Sequence, residues 1–251
     1  MSDFTLEELS INAWPALQTI IYDGWVLRMA NAYAHRANSI SPIYPSNLAL
    51  EEKVKYCEEL YDRHNIPVAY KLISCDEHKA LEDFLTMRGY SFINETSLQV
   101  CNIKTALESF ASTQLPEGII VSNDFSEAWM QSAAFLTNTP EKFISIFRQI
   151  LGNIKQKKIV VHKEVNGKII GCGCGVIERN YVGIYDIAVD ENFRRRGYGS
   201  EIVKAILAEA AKRGTVKTYL QVMLNNPAAL SLYKKMGYDE VYRYWYRKRI
   251  I

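Results

Sequence analysis

Arg194, Gly197 and Gly199 stand in the stretch FRRRGYGSEIVKAILAEAAKRG (193–214), spaced Arg-x-x-Gly-x-Gly, with Arg195 and Arg196 beside them. Cations and side-chain-free residues placed just ahead of a helix suit one task, the binding of a strongly anionic group. The first turn of a helix carries unpaired N–H groups and partial positive charge, which attract phosphate. Glycine removes the side chains that would hold a ligand away from backbone donors. Tyr198 lies inside the loop, and Ser200 brings a hydroxyl to the start of the helix. The competing reading is a solvated basic loop. A Gly-x-Gly alone does not separate the two, whereas an arginine-led loop that joins a strand to a helix favours the anion.

The flanking elements are legible. Ile202, Val203, Ile206, Leu207, Ala210 and Ala211 recur at helical spacing, and Lys212, Arg213 and Gly214 form a basic last turn and a stop. Upstream, VGIYDIAVD (182–190) is β-branched and aromatic, the pattern of a buried strand. Helices are expected at 126–137 and 140–151, the second with Thr139 as cap and Pro140 in first position. Two strands flank Asn166-Gly167, a strong hairpin signal. A strand (216–222), a helix (227–237) capped by Asn226 with Pro227 first, and a last strand (239–250) complete the order.

Composition narrows the function classes. The 251 residues are 48% hydrophobic and 23% charged, as in water-soluble globular chains, and the length suits two modest domains. A net charge of +2 supplies no global field for nucleic acid, which makes such a partner unlikely even though RYWYRKRI alternates aromatic and basic residues. No apolar run reaches the ~20 residues of a membrane span. MSDFTLEELS has no apolar core, and five cysteines (57, 75, 101, 172, 174) without paired zinc spacing predict reduced thiols, a cytoplasmic chain and no metal. Cys172 and Cys174 alternate with glycine and are expected on one strand face. His64, His78 and His162 are expected to be exposed.

Taken together, YDIAVDENFRRRGYG, NPAALSLYKKMGY and the strand between them resemble the GNAT acetyltransferase superfamily over about residues 118–250. The resemblance implies acetyl-CoA as acyl donor and a primary amine of a small molecule or peptide as acceptor. It implies that Ile187, Ala188 and Val189 offer backbone groups to the pantetheine arm. It implies further that Arg194, Arg195, Arg196, Gly197, Tyr198, Gly199 and Ser200 hold the pyrophosphate, and that Asn226 flanks the arm. Tyr233 matches the tyrosine that faces the thioester sulfur. Its plain alternative is a core aromatic, as a helix cap is for Asn226. An amide near Val189 is the natural oxyanion donor. The base is open: Asp186, read with Ile184 and Ala188 on one face opposite Ile187 and Val189, is one candidate and Glu178 another.

The first half repeats the pattern. An Asp23-Gly24 hairpin, a strand (38–44), a helix (48–65), a strand (67–74), a helix (77–90) and a strand (91–100) follow the order of the second half, and LEDFLTMRGY lies on ALSLYKKMGY with Gly89 on Gly237. Its loop, YPSNLALEE, has no Arg-x-x-Gly-x-Gly, and Leu85 stands where Tyr233 does. The expected fold is therefore α/β with a mixed sheet, two tandem GNAT-like folds. Residues 1–112 form the degenerate one, 111–118 a linker and 118–251 the catalytic one. Trp14, Tyr22, Trp25, Tyr33 and Tyr44 make the first domain aromatic, and His35 and Arg36 are its candidates for an acceptor site. Two functions compete, a catalytic N-acetyltransferase and a non-catalytic acyl-CoA sensor. Acceptor and oligomeric state stay open.

Overall fold

The computed structural model describes residues 3–112 and 114–249. The chain divides into two compact units, Met1–Ser97 with Tyr242–Ile251 and Leu98–Val241. The chain runs α1 (Asp3–Ala13), β1 (Gln18–Tyr22), β2 (Trp25–Met29), β3 (Ile40–Pro42), α2 (Leu50–Arg63), β4 (Ala69–Ile73), α3 (Lys79–Met87), β5 (Ser91–Asn102) and α4 (Ile103–Glu108). It continues with β6 (Ile119–Ser122), α5 (Glu127–Leu136), α6 (Ile144–Asn153), β7 (Lys157–Val165), β8 (Lys168–Glu178), β9 (Tyr181–Val189), α7 (Tyr198–Lys212), β10 (Lys217–Met223), α8 (Pro227–Lys235) and β11 (Asp239–Lys248).

In the first unit the strands lie in the order β1-β2-β3-β4-β11-β5. β1 and β2 form the expected hairpin, with Asp23 and Gly24 both at positive φ (40° and 81°) between the pair Tyr22 and Trp25. β3 pairs parallel with β4, and β11 pairs antiparallel with β4 through Tyr244↔Ile73 and Tyr246↔Lys71. Val54, Cys57 and Tyr61 of α2 and Leu81 and Leu85 of α3 bury against Leu27, Ile40, Tyr70 and Leu72. His78, expected at the surface, is buried instead. Its Nδ1 accepts the Ile73 N–H (2.9 Å) and its Nε2 donates to Pro42 O (2.8 Å), which ties β4 to β3, and burial lowers its pKa. Of the other two, His64 is exposed and His162 half-buried.

The boundary differs from the one read in the sequence. Residues 98–112 belong to the second unit, because Ile103 and Ala106 of α4 are buried in its core. Residues 242–248 belong to the first. Tyr242, Tyr244 and Tyr246 are each 3% exposed there; Tyr242 Oη donates to Glu7 (2.7 Å). Glu82 accepts from Trp245 Nε1 (3.0 Å) and from the Arg247 guanidinium (Nε 2.9 Å), and Arg249 meets Asp62. Thr113 of the expected linker and Ile250 of the expected last strand lie outside the described residues.

The second unit has the strand order β5-β10-β9-β8-β7-β6, with β6 to β9 antiparallel and β10 parallel to β9. Asn166 and Gly167 turn β7 into β8 at φ 50° and 75°. The apolar stripe of α7 is buried as spaced, except that Ala211 is exposed. The regular part of the 140–151 helix starts late. Pro140 is extended (ψ 141°), residues 141–143 make a 3-10 turn and α6 begins at Ile144.

β8 accepts α7 closely because its glycines face the helix and its cysteines face away. A methyl group at Gly173 would sit 2.8 Å from Ile202 Cγ2 and closer still to Ile187 Cδ1; at Gly175 it would sit 2.6 Å from Ile206 Cγ2. Gly173→Ala is therefore expected to destabilise the chain by about 1–3 kcal/mol through overpacking. Urea denaturation of the variant measures it, and an unchanged midpoint contradicts the close packing.

Candidate active site

The site grows from one irregularity in β9. Its parallel pairing with β10 runs from Tyr181↔Lys217 to Ile184↔Leu220, yet β9 continues to Val189 and β10 to Met223, so the two strands part beyond Ile184. At that point β9 is also bulged against β8, since the register steps from Cys174↔Tyr185 to Cys172↔Ala188. Asp186 sits in the bulge at φ 53°. A bulge inserts one residue and flips the faces beyond it. Val182 and Ile184 before it and Ile187 and Val189 after it all pack towards α7. This corrects the expected alternation, which set Ile187 and Val189 opposite Ile184.

The backbone follows the same logic. Asp190 N–H donates to Ile170 O on β8 (2.8 Å), so by alternation the backbone groups of Val189 and Ile187 face away from β8, to the parted side. Val189 O there accepts from Arg194 Nε (3.2 Å), which folds the start of the loop back onto its strand.

The loop then delivers donors. Asp190 caps a short turn by accepting from Asn192 N–H (3.0 Å), Arg195 adopts φ 65°, and Gly197 adopts φ 86° as N-cap of α7. A left-handed N-cap is a position for glycine, since other residues pay for φ > 0. Beyond Arg194 the next N–H with a backbone acceptor is that of Glu201, to Gly197 O (3.0 Å); among the described residues those of 195–200 take none. Ile187, Ala188, Val189, Arg194, Arg195, Gly197, Tyr198, Gly199, Ser200 and Asn226 line one cleft of about 1070 Å³. Asn226 caps α8, its side chain accepting the Ala229 N–H (3.1 Å), so its cap reading and its place in the cleft hold together. One lining thus combines backbone donors, arginines and a strand parted from its neighbour, which suits a molecule that carries an anionic group.

Six candidate residues lie outside this lining. Arg196 donates to Asn192 O (3.3 Å) and covers the Phe193 ring at 5.3 Å. Asp186 is half-buried in the bulge. Tyr233 is 7% exposed, its ring 5.7 Å from that of Tyr238, and burial holds its hydroxyl up at about 12. Glu178, at the far end of β8 opposite Tyr181, accepts from Gln156 (3.4 Å). In the first unit, His35 lies against the Tyr246 ring and Arg36 over the Trp14 ring (4.2 Å). Leu136 and Thr137 at the end of α5, and Lys235 at the end of α8, join the lining without a signal in the sequence. Lys235 reads there only as a helix-terminal cation.

Among the described residues no cluster of His, Cys, Asp or Glu could hold a metal ion, and no helix is long and apolar enough to cross a membrane.

Comparison with known proteins places the second unit beside acetyltransferases. Residues 122–238 match the acetyltransferase (GNAT) family model. The chain is 24% identical over 246 residues to an uncharacterized N-acetyltransferase, YobR, of Bacillus subtilis strain 168, covering 96% of each. A GCN5-related N-acetyltransferase from Kribbella flavida has the same fold with a TM-score of 0.67 at 11% identity, over 98% of this chain and 94% of that one. A tandem GNAT protein from the clavulanic acid biosynthesis pathway aligns with a TM-score of 0.60 at 9% identity, over 84% and 75% of the two chains.

Proposed function

We infer, from the fact that residues 122–238 of this chain belong to the GNAT acetyltransferase family, that it moves an acetyl group from acetyl-CoA to the primary amine of a small molecule or peptide. The observation that carries the reading is the convergence of three features in one cleft: parted backbone at Ile187–Val189, residues of the 195–200 loop whose N–H groups take no backbone acceptor, and Asn226. The N–H groups, with Arg194 and Arg195 near, hold the pyrophosphate. The outward-facing backbone of Ile187 and Val189 aligns the pantetheine arm as an added strand would. In the reaction the amine nitrogen forms a bond to the thioester carbonyl, charge builds on the carbonyl oxygen, and the C–S bond breaks to release thiolate. A backbone N–H near Val189 meets that charge. Tyr233, protonated throughout the neutral range, gives a proton to the thiolate. The amine loses its proton to Asp186 or through water.

A non-catalytic acyl-CoA sensor is the second reading. The positions of Asp186 and Tyr233 outside the lining favour it. Incubation with acetyl-CoA and a mixed panel of primary amines decides between them: thiol release that depends on an amine is expected, and binding without any release supports the sensor. Calorimetry should give one coenzyme A per chain, because a single loop supplies the phosphate donors. Two sites per chain would overturn that assignment.

A further inference from the structure

The first unit keeps the layout of a phosphate loop, a segment that follows β3 and leads into the 14-residue helix α2, as 190–197 follows β9 and leads into α7. Its donors are engaged. Asn47 N–H donates to the Asp23 carboxylate (3.0 Å to Oδ1, 3.1 Å to Oδ2), and Leu48 N–H donates to Oδ2 (2.9 Å). Lys53, on the first turn of α2 and 0% exposed, places Nζ 3.1 Å from Oδ2 and also donates to Asp23 O (2.5 Å). The same ammonium lies 4.1 Å over the Trp25 ring. Ser46 Oγ donates to Asp23 O (2.9 Å), and Tyr44 N–H donates to Gly24 O (2.9 Å), which straps the hairpin turn onto the loop. The approach is so tight that a methyl group at Gly24 would meet the Tyr44 carbonyl carbon at 2.9 Å.

An anion thus sits on the loop's backbone donors with a buried cation behind it, and the anion belongs to the chain. We propose that Asp23 is a built-in ligand which occupies the first unit's loop in place of a phosphate, closing this unit to coenzyme A. The comparison with 195–200 rests on the function proposed above; the contacts of Asp23 do not. With the carboxylate removed, the donors and Lys53 are left to take a small carboxylate or phosphate from solution. The contacts, the Leu48 N–H first, then the Asn47 N–H and Lys53, hold the Asp23 carboxyl down at about 2. A lowered carboxyl contributes stability that is fully present above its ordinary value of 3.8 and is lost as pH falls through about 2. The loop therefore stays closed throughout the physiological range.

Chemical rescue tests this. Asp23→Gly suits the positive φ of the position and removes the carboxylate together with its methylene. Formate or acetate should raise the melting temperature of Asp23→Gly by several degrees more than chloride of equal ionic strength, as a ligand of the folded state does, and should do no more than chloride for the wild type. Equal shifts in the two proteins overturn the proposal. Should Asp23→Gly not fold, hydrogen exchange in Asp23→Asn decides. The Asn47 and Leu48 amides should exchange about tenfold faster than in the wild type, and unchanged protection overturns the proposal. Neither readout uses coenzyme A, so a second unit that binds none leaves both intact.

Discussion

Replacing Gly197 by valine is expected to weaken acetyl-CoA binding more than tenfold, about 1.4 kcal/mol, in a chain that still folds. Gly197 holds φ 86° as N-cap of α7, and a side chain there would meet nothing within 4 Å. Space is thus not the obstacle. A β-branched residue at positive φ is a genuine outlier, and holding it there costs on the order of 1–3 kcal/mol. Valine relieves that strain by rotating the loop backbone, which turns the N–H groups of 195–200 from a common direction. Its branched side chain also enters the open volume that the proposed function assigns to the diphosphate. Asparagine tolerates the left-handed region and separates the two causes: Gly197→Asn should keep the loop and lose affinity only through bulk. Calorimetric titration of the three proteins measures this. Wild-type affinity in Gly197→Val removes the loop from the binding site.

Tyr233→Phe is expected to lower kcat by ten- to several-hundred-fold with little change in acetyl-CoA affinity. The hydroxyl, held up at about 12 by burial, keeps its proton at neutral pH and can give it to a departing thiolate. Thiolate leaves without full protonation, so the donor accelerates the step rather than enabling it. The ring packs against Tyr238 and Met236 in the second core, and phenylalanine preserves that packing. A purely structural tyrosine gives the opposite pattern, a normal kcat in Tyr233→Phe and lost stability in Tyr233→Ala. Steady-state kinetics with an accepted amine, beside melts of both variants, distinguishes them.

Local chemistry makes the turns, caps and loop that frame the candidate site readable. The Asp23-Gly24 and Asn166-Gly167 turns, the Asn226 cap with Pro227 behind it, and the Arg-x-x-Gly-x-Gly loop are decided by two to six adjacent residues, and each stands where the sequence put it. The bulge at Asp186 was not readable, because only the partner strand reveals that one residue has no opposite number. Strict alternation therefore sets Ile187 and Val189 opposite Ile184, whereas the bulge brings all three to the face of α7. His78 escaped for a related reason: its two ring nitrogens are satisfied by Ile73 and Pro42, contacts that nothing in a polar DEH segment announces. In the sequence Asp23 reads only as half of a turn signal. That it also neutralises Lys53, thirty residues on, belongs to tertiary structure alone.

The last strand carries a consequence for biosynthesis. β11 lies between β4 and β5 in the first unit, yet its residues are the last of the described chain to leave the ribosome. At ~5–20 residues per second the first unit waits on the order of ten seconds for an interior strand, with two strand edges bare. Bare edges are templates for foreign strands, so a nascent chain here depends on chaperones or on speed, and two crowded nascent chains can trade their final strands. Termination before Tyr242 spares every residue of the cleft. It leaves Glu7, Glu82 and the flank of β4 without their tyrosines, tryptophan and arginine, and it is the first unit that fails.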